Sequence, residues 1–245
     1  NGPVIVPNDH ANSLLWQYVD DGTMPYGNNE DLTSDQIDLI ASWIDEGALE
    51  TPAVDVTDLF FSEYAEGSSN NKYLEIYNSS GASVDLSAYS ISTCNNGCDA
   101  AGEFDYPDNV TFAAGTILAD GDVYVICHGS ASDEISAECD QTFTYLSNGD
   151  DFQALTLAGA TASSYTVIDQ VGDWGDDPGN GWDVAGVTDG TKDHTLVRKS
   201  TVTSGNTDWS ASAGTTTDNS EWIVLDQDTW DYLGSHPHDF SNDDI

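Results

Sequence analysis

Of the 245 residues of this chain, 44 are acidic and only 4 are basic, a formal net charge of −40. A surface of that sign repels phosphate backbones and anionic headgroups, which excludes nucleic acid and the membrane surface as partners of the chain. No apolar run reaches the length of a membrane-spanning helix, while 38% hydrophobic and 10% aromatic content suffices for a real core.

Residues 1–50 read as helical. Asn8-Asp9 is placed to cap a helix carrying Leu14, Leu15, Trp16 and Val19. A loop follows from Gly22 to Asn29. Thr33 and Gln36 then have the spacing of a capping box, Ile37, Ile40, Ala41 and Ile44 recur at helical intervals, and Gly47 suits the residue just past the helix end. Thr51-Pro52 marks a boundary. From Ala53 the period becomes two. Strands are expected in DLFFSEYAEG, KYLEIYNSS, SAYSIS, NVTFAAG, GDVYVICHG, FQALTLAG, VIDQVGDWG, HTLVRKS and WIVLD, separated by Gly, Asn, Asp and Ser turns. Many short strands at this spacing predict a mainly β fold, an antiparallel sandwich. The expected division is 1–52 helical, 53–240 sandwich and 241–245 acidic tail. Two long loops interrupt the sandwich, Cys94–Asp108 and Gly172–Asp193.

Four cysteines, an even number, in a chain rich in Ser, Thr, Asn and Gly predict two disulfides and export. The short spacings favour Cys94–Cys98 and Cys127–Cys139 among three pairings, with a zinc site as the competing use. A chain that begins at Asn1 without Met is expected to be a processed product. Each of the four bases, Lys72, Lys192, Arg198 and Lys199, is expected to sit in an ion pair, Lys72 with Glu63 or Glu66.

Three stretches resemble a bacterial lamin-tail domain, an immunoglobulin-like β-sandwich: Leu59–Ser92, then Gly115–Ala131 with Asn148–Asp151, then His194–Ser210 with Ser220–His236. A variant of that domain accompanies secreted nucleases of marine and related bacteria as an accessory to a separate catalytic domain. The resemblance therefore implies the sandwich fold but carries no nuclease activity to this chain.

GPVIVPNDHANSLLWQYV, MPYG and LTSDQIDLIASWIDEGA resemble the C-terminal half of small planctomycete-type cytochrome c domains. In that family a Cys-x-x-Cys-His helix binds haem, and Met24 would be the second axial ligand. No such motif occurs here, since CNNGC has three residues between its cysteines and no histidine after them, so haem is not expected in this chain.

No Gly-x-Ser-x-Gly, His-Glu-x-x-His or phosphate loop occurs, and the five histidines are scattered. SHPHD, Ser235–Asp239, reads as a solvated tail. The candidate metal ligands are Asp173, Asp176, Asp177, Asp183, Asp189 and Asp193. They crowd one loop whose Gly and Pro turns expose the carbonyls that calcium also uses. The competing reading of this loop is one ordered by hydrogen bonds and by packing of Trp174 and Trp182. Asp99, Glu103, Asp105 and Asp108 form the second choice. The resulting expectation is an extracellular or cell-surface binding or structural module without catalysis. Its partners would be other protein chains or further copies of itself, reached through the apolar helix stripe and an N-terminal strand-like arm, NGPVIVPN, with packing of that segment on the sandwich of the same chain as the alternative. A fragment of an electron-transfer protein and an accessory domain of a secreted hydrolase or nuclease are the alternatives.

Overall fold

The computed structural model describes residues 3–25, 32–45, 47–48, 59–175 and 177–238. Asn1 and Gly2 of the arm, the Thr51-Pro52 boundary, Asp176, Asp239 and the tail 241–245 lie outside them. The chain divides into two compact units, Asn1–Val54 and Asp55–Ile245.

The first unit holds α1 (Leu14–Asp20) and α2 (Ser34–Asp45), which pack together. The Asp9 carboxylate accepts from the Asn12 amide and caps a 3-10 turn, His10–Asn12, ahead of α1. At α2 the capping box forms in both directions: Thr33 N–H donates to Gln36 Oε1 at 2.9 Å, and Gln36 N–H donates to Thr33 Oγ1 at 3.3 Å. Ile44 is fully buried and Ile37, Ile40 and Ala41 are half-buried. The described part of the arm is hydrogen-bonded within its own unit. Leu15 N–H donates to Val4 O, Val6 N–H to Ser13 Oγ, and Asn8 N–H to Ile44 O at 2.7 Å. A chain that folds back to cap its own helices has no unpaired edge to offer from those amides.

The second unit is built on two sheets. One has the order β12-β11-β1-β2-β7-β8, the other β10-β9-β4-β5, and β3 with β6 forms a small ribbon. The strands are β1 Leu59–Glu66, β2 Lys72–Asn78, β3 Val84–Asp85, β4 Tyr89–Cys94, β5 Tyr106–Thr111, β6 Ile117–Leu118, β7 Val123–Cys127, β8 Gln141–Thr142, β9 Phe152–Leu157, β10 Val167–Val171, β11 His194–Arg198 and β12 Trp222–Asp226. Neighbours are antiparallel except β7 and β8, which run parallel. Phe61, Leu74, Ile76, Ile126 and Leu196 from the first sheet, with Ile91, Leu155 and Ile168 from the second, are buried.

The alternation in β1 and β2 does not separate a dry face from a wet one. All eight residues of β1 are buried, and in β2 only Tyr77 is partly exposed. A helix, α3 (Asp133–Glu138), and the segment 228–238 account for this. Ile135, Trp230 and Leu233 pack with Ala65, Tyr73, Val125 and Cys127. Gly67 makes the fit: a Cβ there would come within 2.6 Å of Asn71 O and 2.7 Å of Asp228 Oδ1, besides meeting the Trp230 ring. A last helix, α4 (Trp209–Ala213), is capped by Asp208. Both disulfides form, Cys94–Cys98 and Cys127–Cys139. They use every cysteine, which removes the zinc alternative.

Candidate functional site

The described carboxylates of the acidic loop accept hydrogen bonds from within the fold. Asp173 Oδ1 accepts from Trp174 N–H, Asp177 Oδ1 from Gly179 N–H, and Asp183 Oδ1 from Asp189 N–H, at 2.7, 2.6 and 3.0 Å. Asp189 Oδ2 accepts from Asn180 Nδ2, and Asp193 Oδ1 from Gln227 Nε2. Among the described residues no three His, Cys, Asp or Glu side chains come together in a metal-binding group. Trp174 packs against Phe104, Phe152 and Tyr165, with ring centroids 4.6, 4.7 and 5.3 Å away. Trp182 N–H donates to Thr191 Oγ1, and its ring lies against Gly172 at φ +89°. Hydrogen bonds and aromatic packing both contribute to the order of this loop. In the second loop, Asp105 accepts from the Asp99 amide, and Asp108 accepts from Ser90 Oγ and the amides of Gly159 and Ala160.

Among the described residues, not all the bases are paired with acids. Lys72 Nζ does meet Glu66 at 2.8 Å, and it also donates to Ser147 O and Asn148 Oδ1. Arg198 is fully buried. It donates to Asp169 at 2.5 Å, Glu221 at 2.6 Å, Ser212 Oγ and Phe61 O, and lies 4.0 Å over the Trp222 ring. Lys192 instead donates to Asn180 Oδ1, and Lys199 to the carbonyls of Thr217 and Ser220. SHPHD is not a solvated tail through His236. That ring is buried, stands 4.8 Å from Tyr77 and 5.6 Å from Phe60, and has no partner for either nitrogen among the described residues. Burial drives its pKa down to about 4. Met24 is 38% exposed, with its amide bonded to Tyr18 O.

Sequence reasoning missed a groove of about 360 Å³ lined by Asn95, Tyr106, Asn109 and Tyr145. Cys94–Cys98 closes the loop that carries Asn95, and that loop is tied down by Asn96 N–H to Asp151 Oδ1 and Cys98 N–H to Gly175 O. Tyr106 opens β5, paired with Thr93, and Asn109 Nδ2 donates to Thr93 Oγ1 at 2.8 Å. Tyr145 follows β8, its ring edge-on to Phe143 at 6.0 Å, and Phe143 N–H donates to Cys127 O. The two phenols are 48% and 76% exposed. Asn95 is exposed as well. A larger cleft of about 430 Å³ is lined by Glu134, Asp228, Thr229, Trp230 and Asp231, but one of its acids, Asp228, already accepts from the Ser68 amide.

No curated protein matches the chain. The family model of the lamin tail domain matches residues 52–176, just over half of it. That span runs from ahead of β1 to the end of β10, and β11 and β12 complete the same six-stranded sheet beyond it. By this match and this sandwich, the chain belongs to the lamin tail domain family.

Proposed function

We propose that this chain is a non-catalytic binding module that works outside the cell or on its surface. The observation that carries the reading is the groove of Asn95, Tyr106, Asn109 and Tyr145. Its lining offers flat rings and amides on a braced frame but no acid–base pair or activated nucleophile, which is the chemistry of holding rather than converting. Two disulfides support an oxidising compartment. Among the described residues no helix is long and apolar enough to cross a membrane. The test is an NMR titration of the full chain that follows the Tyr106 and Tyr145 ring signals against soluble oligosaccharides and peptides. Shifts confined to the groove, with the added compound recovered unchanged, are the expected result; turnover of the compound contradicts the reading.

Self-association through the first unit is the second element of the proposal. Val4, Tyr18, Met24 and Leu39 make up four of the seven exposed large apolar side chains among the described residues, in a unit of about a fifth of the chain. Light scattering over a concentration series tests it, and a mass that stays monomeric throughout overturns it.

A further inference from the structure

We infer that the groove takes an uncharged oligosaccharide; this rests on the reading that the groove is the module's binding surface. A pyranose ring has a face of axial C–H bonds that is slightly positive, and the face of an aromatic ring is slightly negative. Tyr106 and Tyr145 are exposed and line one groove. The polar rim of a sugar is a series of hydroxyls, each donor and acceptor at once. An amide matches it because it too donates and accepts. Asn95 offers both functions. Asn109 has its Nδ2 committed to Thr93 Oγ1, which fixes the side chain and leaves Oδ1 as an acceptor.

Charge selects within the class. The groove is lined by no ionised side chain, in a chain of net charge −40. An acidic glycan is repelled by the field of the whole protein, and a basic peptide finds better partners at the acid-lined cleft of Glu134, Asp228 and Asp231. The volume of about 360 Å³ falls in the range of about 300–1,000 Å³ usual for ligand clefts. Rigidity favours a weakly binding class: the Asn95 loop is closed by its disulfide, so little is lost in ordering it.

The experiment is calorimetric and NMR titration of the full chain with cellohexaose, chitohexaose and mannohexaose, with an alginate hexasaccharide and decaproline as controls. The expected result is binding of at least one neutral saccharide. Tyr145→Ala and Tyr106→Ala should each weaken it by about tenfold or more, whereas Tyr145→Trp retains it and all variants keep the wild-type melting temperature. Binding of a neutral saccharide that survives both alanine substitutions overturns the inference. Binding of alginate or decaproline alone, with shifts at the same rings, keeps the groove as a binding surface but overturns the ligand class. Silence of both rings toward every compound overturns the ligand class and the binding surface together.

Discussion

Glu63 and Glu75 stand opposite one another in the register of β1 and β2, and neither exposes any surface. Three of their four oxygens are held. Tyr73 donates its hydroxyl to Glu63 Oε2 at 2.6 Å, Ser62 donates to Glu75 Oε1, and the Gly234 amide donates to Glu75 Oε2. Glu63 Oε1 has no partner among the described residues. Burial, and then the Glu75 charge, pushes the Glu63 carboxyl well above the usual range. Burial, with Glu138 and Asp140 nearby, raises Glu75 to about 7. Two carboxylates so placed do not both ionise, so the pair keeps a proton near neutral pH.

That proton sets a pH dependence. From about 4.5 to about 7 the folded chain holds a proton at Glu75 that the unfolded chain has lost. Stability from this source is therefore complete below the lower value and is lost as pH rises through the upper one. His236, held down to about 4, has the opposite slope below about 6.5. The useful comparison is therefore wild type against Glu75→Gln, which keeps an acceptor for the Gly234 amide and never ionises. Between about pH 5 and pH 8 the variant should lose less stability than wild type, by on the order of 2 kcal/mol. Equal slopes in thermal melts would remove the account.

Arg198 is the other buried charge centre, and breaking it should cost more. Burial raises the Asp169 carboxyl, and Arg198 together with the amides of Asn206 and Phe61 draws it back. Arg198→Met leaves Asp169 buried without its cation, an expected loss of about 3–5 kcal/mol in urea unfolding. Adding Asp169→Asn removes the stranded charge and keeps an acceptor for one of those two amides, so the double variant should recover part of the loss. A strictly additive double variant would show that the two side chains do not act as a pair.

The nine longer strands were legible because each is a run of β-branched, aromatic or alternating residues between turn residues. HTLVRKS and WIVLD appear in the structure as β11 and β12 with matching register. The pieces that were not legible have two or three residues of signal: β3, β6 and β8 pair only because longer neighbours place them. The covered outer face escaped for a different reason. Glu63 and Glu75 lie on a face that α3, Trp230 and Leu233 help to cover, and those residues stand far from β1 and β2 in the sequence. The groove is assembled from β5 and the loops after β4 and β8, so no local pattern could announce it.

The two disulfides should differ in weight. Cys127 and Cys139 are 12 residues apart, Cys94 and Cys98 only 4. The entropy removed from the unfolded chain grows with the loop closed, which gives about 3 kcal/mol for the first and about 2 kcal/mol for the second. Paired Cys→Ser variants measured by denaturant unfolding should follow that order. Loss of Cys94–Cys98 should in addition broaden the NMR signals of Asn95 while leaving those of Tyr73 unchanged. A larger stability loss from the shorter loop would contradict the chain-entropy account.

The loop 172–193 gives the last prediction. Its described carboxylates each accept a hydrogen bond from within the fold. The loop's interior is held by Trp182, whose amide meets Thr191 Oγ1, while that hydroxyl donates onward to Gly149 O at 2.6 Å. Gly172 lies so close to the Trp182 ring that a Cβ there would come within 2.7 Å of it. A loop pinned in this way needs side-chain packing for its order. Trp182→Ala should therefore cost about 2 kcal/mol, somewhat below a fully buried aromatic because the ring is half-exposed. EDTA at constant ionic strength should leave the melting temperature of the wild-type chain unchanged. A fall in EDTA that calcium reverses and magnesium does not would show instead that the carboxylates of this loop hold a calcium ion, since binding to the native state alone raises stability by mass action.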